Sequence, residues 1–579
     1  MAILSPDWAT QATDSLVQSK TMPQKPVFFR SPIVSLSGCF LSNGLIRTDD
    51  QRIRKLYQKA SVFIEEPEMW EGLFRIACLL HPDPLSEPVA GMIQRSLTEQ
   101  TENGSFEGTA RRQIGIARAA YALFEYNTDR TVLKQLAGWF RYLEIEFDRI
   151  AAGSDLLYRA ADLMELLVRF YLTTGLKPVL RLCARLRAAS FDWTSALHTF
   201  QQSIPVSIDG QELFRAVQGC IPEELDYDLR NQMINHAGFL SDGIRFTAFA
   251  GLFSGNGMDL SAGKTVWQYL RKHHYAICGG TTSAPELSGK GADKPVSTET
   301  VASWTEAFAS QMLLEDASWA HDEMVRIVFN ALDYCLNREG IKADQRVNQG
   351  CGSNEAPADP AAVYARLTKA AAAAFRNAVT QTKDGIRINY LMPARYVMSI
   401  GDQTVVLRTD EDGAAFICEK PFDADVAVYV ASTETARICI GGETVSHQPD
   451  SSGKKTGHGY FIHAARKWQP RDAIRFEQED RVYCEETHHQ GICCFVRNRL
   501  MAVPFNKGDA LFAVTEPAEC RDGILRFSLK HTDEWKQTDG QPRDIPVRPS
   551  VTGKAYYVAA QPYSTGEGHI SMLPRGKRL

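Results

Sequence analysis

No stretch of the 579-residue sequence approaches ~18 uninterrupted apolar residues, so no membrane-spanning helix is expected. A basic excess is also missing. The 64 Lys and Arg stand against 69 Asp and Glu, a formal net charge of −5, which argues against a nucleic-acid or anionic-membrane partner. The first residues, MAILSPDWATQATDSLVQSK, have no basic region followed by an apolar core, so they do not read as a secretory leader. A cytoplasmic location is therefore expected. No fixed-period motif recurs, which argues against a solenoid of repeats. The 13 cysteines include no C-x-x-C pair, and an odd number scattered along a chain in a reducing compartment reads mainly as small buried apolar groups.

What is present falls into two regimes. From about residue 53 to 380 the apolar spacing is helical. Leu73, Ile76, Ala77 and Leu80 form one stripe, as do Leu163, Leu166, Leu167 and Phe170, and Ile116, Ala120, Leu123 and Phe124. Short breaks such as His81-Pro82-Asp83-Pro84 and Thr174-Gly175 imply antiparallel neighbouring helices. About a dozen helices fit, as two concentric rings of six require. The alanine-rich run 361–379 is the last of them. After Asp384-Gly385 the period changes to two, in Ile386–Tyr390, Val426–Val430 and Arg437–Ile440, with Gly-containing turns between. The expected organisation is an N-terminal arm over 1–52, an (α/α)6 barrel over 53–383, and a β-sandwich region over 384–579, read as two modules. The fold class is thus α+β multidomain.

The segment Trp267 to Ser283, a helix running into Tyr275, Gly279-Gly280 and Ser283, resembles a landmark of glycoside hydrolase family 127. Other stretches match that family in order: Trp70-Glu71-Gly72-Leu73, Asn103-Gly104, Ser297–Ser303, Gly350–Asn354, Asp384–Pro393, Gly459-Tyr460 to Trp468, Gly491–Pro504, and Ile545-Pro546 to Tyr557. The resemblance covers nearly the whole chain from about residue 55, and its specificity lies in the order rather than in any one motif. It implies a β-L-arabinofuranosidase-like fold. It also implies a site with a cysteine thiolate nucleophile on a zinc held by one glutamate and three cysteines.

This sequence departs from that pattern at the site itself. Glu299 and Cys351 match two ligands, but Gly350 stands at the nucleophile position and Val301 at another ligand position. Two ligands are too few for a zinc site, which takes four in a closed site and three in an open one. No cofactor is expected, zinc included. Glycoside hydrolysis can instead use two carboxyl groups, one protonating the leaving oxygen and one acting as base or nucleophile.

The catalytic candidates are Glu286, Glu299 and Asp242. Glu286 follows the Gly-Gly loop, near where the family carries a glutamate proposed as acid/base. Its plain alternative is an exposed loop carboxylate. Glu299 starts a helix expected over 298–314 with Thr298 as its cap, where an acid also simply complements the helix dipole. Asp242 lies where the family has a histidine, and its alternative is capping a helix over 243–252. For substrate binding the candidates are His236, Tyr275, Trp304 and Cys351. The aromatic rings suit a sugar face, although such rings are commonly core, and a turn thiol without a base is commonly structural. Cys484, His488, His489, Cys493 and Cys494 look metal-like in spacing, yet Ile492–Val496 reads as a buried strand whose neighbours face opposite ways.

The expected function is carboxylate-based glycoside hydrolysis of a plant or microbial glycan-derived oligosaccharide. The alternatives are a non-catalytic carbohydrate-binding protein, and a lyase or hydratase on unsaturated uronides. The partner is a carbohydrate substrate, without nucleic acid or membrane, and a sheet edge in the β region offers a surface for a homodimer.

Overall fold

The computed structural model describes residues 46–80, 85–151, 154–203, 233–283, 286–291, 294–314, 317–338, 344–346, 357, 359–381, 385–431, 436–440, 443–445, 459–478, 482–486, 491–504, 512–514, 519–521, 524–531, 552–565, 569–570 and 573–574. Cys351, Gly350, His488 and His489 lie outside them.

Among the described residues, twelve helices have ten or more residues: α1 Gln51–Ala60, α2 Pro67–Leu80, α3 Glu87–Thr98, α4 Ala110–Asn127, α5 Arg130–Ile145, α6 Ser154–Thr174, α7 Pro178–Ala189, α8 Ala237–Ser254, α9 Gly257–His273, α10 Thr298–Gln311, α11 Ser318–Ile327 and α12 Pro360–Ala378. The even-numbered helices close a ring. α2 packs on α4, α4 on α6, α6 on α8, α8 on α10, α10 on α12, and α12 returns to α2. The odd-numbered helices lie outside it: α1 on α2 and α12, α3 and α5 on α4, α7 on α6, α9 on α8, and α11 on α10.

The sequence explains the ring closure. Where α2 meets α12, a Cβ on Gly72 would sit 2.0 Å from Thr368 Oγ1, so only glycine permits the approach. Ala370, Ala371, Ala372 and Ala374 bury small side chains on α12. The three apolar stripes expected on α2, α4 and α6 are all buried. Helix starts are fixed by side chains accepting first-turn N–H groups: Thr109 from Arg112, Asn256 from Met258, Ser297 from Thr300 and Asp359 from Ala362. Each such cap contributes about 1 kcal/mol. The caps correct two expectations. The helix holding Asp242 begins at Ala237, so Asp242 lies inside it and His236 is the cap. The cap of α10 is Ser297 rather than Thr298, because the Ser297 Oγ reaches Thr300 N at 3.1 Å.

Among the described residues after α12 the elements are strands, mostly antiparallel, and one short 3-10 turn, Tyr563–Thr565. A seven-stranded sheet runs in the order 46–47, 394–400, 403–409, 413–417, 473–478, 436–440, 443–445. Part of the expected N-terminal arm is therefore an edge strand, with Ile46 opposite Tyr396. A four-stranded sheet runs 460–468, 422–430, 385–388, 379–381, with Gly385–Ile388 parallel to Phe422–Val430. The two sheets meet where Phe416 of the first packs on Trp468 and Phe422 of the second, at ring centroid distances of 4.8 and 5.4 Å. No helix among the described residues is long and apolar enough to cross a membrane.

Candidate active site at the mouth of the helical ring

The N-terminal halves of four inner helices meet at one cavity. It measures about 210 Å³ and is lined by Met69 of α2, Arg111 of α4, Arg159 of α6, and Ala362, Arg366 and Lys369 of α12. Arg366 links this cavity to α8 and α10. Its terminal nitrogens donate to Asp242 Oδ2 at 3.2 and 3.3 Å, its Nη1 also to Ser303 Oγ at 2.7 Å, and its Nε pairs with Glu299 Oε1 at 3.2 Å. Three residues distant in sequence are thus held by one planar guanidinium, whose several donors suit that task.

Backbone pairing brings the loop carrying Glu286 to the same place. His236 and Glu286 form an antiparallel bridge, and Leu287 N donates to Asn235 O at 3.0 Å. Ser283 is stitched to the start of α10, since its N–H donates to Pro295 O at 2.7 Å and its hydroxyl to Thr300 Oγ1 at 2.8 Å. The Gly-Gly turn before it is sterically required. Gly279 has φ 110°, and a Cβ on it would lie 2.6 Å from the Ile327 Cα.

His236 has a defined proton position. Its Nδ1 accepts from Gly238 N and Phe239 N at 3.2 and 3.3 Å, so the ring proton is assigned to Nε2. Its ring stacks on Phe239 at 4.3 Å. Burial lowers its pKa below the ordinary histidine value, Glu299 and Glu286 oppose that, and Arg366 reinforces it. A neutral imidazole with an Nε2 donor is the result.

The carboxylates differ in freedom. Asp242 is engaged on both oxygens, by Arg366 and by Arg245 Nη2 at 3.1 Å. Glu299 is 34% exposed at its side chain and pairs with Arg366 through one oxygen. Glu286 is half-buried.

Below this level the ring axis is filled with charge. Asp162 receives Arg118 at 3.1 Å, Arg159 at 3.2 Å and Arg245 at 2.6 Å, and Glu71 receives Arg118 and Arg75. Deeper still, Glu125 receives Arg75 and Arg376. Burial alone would raise the Glu165 carboxyl, but Arg169, Arg118 and Arg245 hold it at about 2. Breaking one partner of such a buried set costs about 3–5 kcal/mol, because the other charge is left uncompensated.

Two expected binding residues are placed elsewhere. Trp304 is 0% exposed, packed on Trp267 and Phe308, with its indole N–H donated to Thr281 Oγ1 at 2.9 Å. Tyr275 is buried, and its hydroxyl donates to Glu323 at 3.3 Å beneath Arg271 and Arg326. Neither lines the mouth cavity. Aromatic packing takes Trp304 into the core, and Trp267 together with the Glu323, Arg271 and Arg326 side chains takes Tyr275 there. In the β region Cys484 and Cys494 face each other across paired strands with sulfurs 3.2 Å apart, while Cys493 is buried. Among the described residues, no three His, Cys, Asp or Glu side chains gather as metal ligands.

No protein-family model matches the sequence, and no curated protein matches it. Solved structures do. A GH127 β-L-arabinofuranosidase from Geobacillus stearothermophilus T6 is similar with a TM-score of 0.60 and 16% identity, over 100% of this chain and 95% of that one. The chain has a GH127-like fold. A protein described as a glycoside hydrolase shares that GH127-like fold at a TM-score of 0.67 and 11% identity, over 95% of this chain and 99% of its own. A further GH127 β-arabinofuranosidase gives 0.56 and 12%, over 90% and 92%. At these identities the likeness is one of fold.

Proposed function

We propose that the six-helix ring and the six helices outside it form an (α/α)6 barrel, that the strands after it form β-sandwich modules, and that the chain is a cytoplasmic glycoside hydrolase. The observation that carries this reading is that His236, Glu299 and Glu286 lie within electrostatic reach of one another around Arg366, which lines the mouth cavity, in a GH127-like fold.

In this reading Glu286 supplies a proton to the leaving glycosidic oxygen. Glu299, ion-paired through one oxygen, attacks the anomeric carbon or removes a proton from water with the other. His236 donates from Nε2 and orients a carboxylate or sugar hydroxyl. Asp242, saturated by two guanidiniums, positions Arg366 rather than reacting. The substrate is an oligosaccharide from a plant or microbial glycan.

The zinc that the family resemblance implies does not fit the side chains described. Val301 is a buried apolar side chain, and the guanidinium of Arg366 lies 3.2 Å from Glu299, where a second cation would be repelled. No step is assigned to it.

The test is turnover of aryl glycosides by the full chain. Glu299→Gln and Glu286→Gln are each expected to lower kcat at least about 100-fold, the scale of general acid–base contributions. If Glu299 is the nucleophile, added azide is expected to give a glycosyl azide of inverted configuration with Glu299→Gln and of retained configuration with Glu286→Gln. Undiminished turnover in Glu299→Gln rejects its role. Saturable sugar binding with no turnover on any glycoside would make the chain a carbohydrate-binding protein instead.

A further inference from the structure

Lys369 stands three residues after Arg366 on the inner face of α12 and borders two spaces at once. One is the mouth cavity, and the other is an inner cavity of about 40 Å³. Its side chain is only 8% exposed, yet its ammonium makes no hydrogen bond among the described residues. The carboxylate oxygens nearest to it are Asp162 Oδ1 at 3.9 Å and Glu306 Oε1 at 4.0 Å. Both are already claimed at shorter range by Arg245, at 2.6 and 3.4 Å. Asp162 also serves Arg118 and Arg159, and Glu71 is taken by Arg118 and Arg75. An ammonium has three donors and needs acceptors when taken out of water. Lys369 thus has two long ion pairs, no hydrogen bond among the described residues for its three donors, and a border on both cavities.

The remaining charges at the mouth do not compensate it. Glu68 pairs with Arg111 at 2.6 Å, and Asp359 accepts from Ala362 N at 3.0 Å as the cap of α12. Glu66 lies at the exposed rim, screened by solvent. A cavity of about 210 Å³ lies below the ~300–1,000 Å³ of drug-sized sites, which suits a single sugar ring rather than a length of chain. A sugar hydroxyl would satisfy a donor of Lys369 without neutralising it. A carboxylate does both.

We infer that the mouth cavity receives an acidic sugar, a uronate, with its carboxylate against the ammonium of Lys369. This rests on the glycoside-hydrolase reading for the identity of the ligand as a sugar, and it makes the terminal residue of the oligosaccharide a uronic acid. Lys369 is then the residue that selects acidic from neutral sugars, while Glu286 and Glu299 face the glycosidic bond.

The test is calorimetric titration of the full chain with glucuronate, galacturonate, glucose and galactose. At least one uronate is expected to bind about tenfold or more tightly than its neutral counterpart, a difference that Lys369→Met erases. Ala361→Trp narrows the mouth without removing a charge, and is expected to abolish uronate binding at an unchanged melting temperature. It carries the test if Lys369→Met does not fold. Equal binding of uronates and neutral sugars overturns the inference, as does uronate binding that survives both substitutions. Lys369-dependent uronate binding without turnover of any aryl glycoside keeps the inference and removes the hydrolase reading. Turnover of neutral glycosides without uronate preference does the reverse.

Discussion

Arg366 on α12 holds Asp242 on α8 through both terminal nitrogens, at 3.2 and 3.3 Å, across the mouth of the helical ring. The same guanidinium reaches Ser303 and Glu299 on α10, so three inner helices share one cation. Arg366→Met leaves Glu299 without its cation and Asp242 with Arg245 alone. The expected loss is about 3–5 kcal/mol of folding stability, read from urea midpoints, together with turnover. Arg366→Lys is expected to recover part of the stability and little of the turnover, since one ammonium cannot span three partners.

His236 combines a cap with a donor, and the two can be separated. Asparagine also caps helices well, whereas phenylalanine cannot. His236→Phe is expected to cost about 1 kcal/mol from the lost cap, and His236→Asn much less. Both lose the imidazole Nε2 donor, so both are expected to lose turnover, which calorimetry and aryl-glycoside kinetics separate. The pH dependence has a defined sign. Burial, against the opposing Glu299, holds the folded histidine below its ordinary value. As pH falls through that ordinary value the unfolded chain takes a proton that the folded chain resists, and stability is lost. His236→Asn is expected to lose less than the wild type between pH 7.5 and 5.5.

Much of this architecture can be read in the sequence, and the reasons are local. The stripe Leu73, Ile76, Ala77, Leu80 is buried because its spacing leaves no other face for it. The change to period two after Gly385 coincides with the first long strands. The charged axis is harder to see. Asp162, Glu165 and Arg169 recur at helical spacing, as do Arg366, Lys369 and Arg376, and an amphipathic reading assigns such a stripe to solvent. In a ring each inner helix buries two faces, one apolar against its neighbours and one polar along the axis. Charge repeating at i, i+3 and i+7 or i+10 within an otherwise buried helix was the available signal for Arg366 and Lys369. Trp304 and Tyr275 show the converse. Their type suits a sugar platform, but only packing decides whether a ring meets a cavity or a core, and here Trp267, Phe308 and Glu323 take them inward.

Asn330 ties the helical ring to the β region through every polar atom of its amide. In the π-helical turn Val328–Leu332, its Nδ2 donates to Arg326 O at 2.8 Å and Asn498 O at 3.1 Å, and its Oδ1 accepts from Leu500 N at 2.6 Å. Asn330→Leu would leave the Leu500 N–H facing an apolar group. Each buried group left unpaired costs about 1–3 kcal/mol. The expected outcome is a lower melting temperature and faster proteolysis within 483–504, with the helical signal in circular dichroism largely kept.

His321 makes the second contact between the layers sensitive to acid. Its Nδ1–H donates to Ala317 O at 3.0 Å, and its ring packs on Tyr429 and Phe461, at centroid distances of 5.0 and 5.2 Å, from strands 422–430 and 460–468. Burial lowers its pKa to about 4, with Arg387 adding to that and the Ala317 carbonyl opposing it. Above the unfolded value of 6.5 both states are neutral and the residue is indifferent to pH. Below it the unfolded chain gains a proton first, so stability falls as pH drops from 6.5 to 4. The lost stability amounts to about 3 kcal/mol. His321→Phe keeps an aromatic ring between Tyr429 and Phe461 and cannot titrate. Carboxylates also protonate in this range, so the informative quantity is the difference between the two proteins. Urea unfolding at pH 7 and pH 4.5 is expected to show a smaller acid-induced loss in His321→Phe than in the wild type. Equal losses would mean that the imidazole at this junction is not held neutral by its burial.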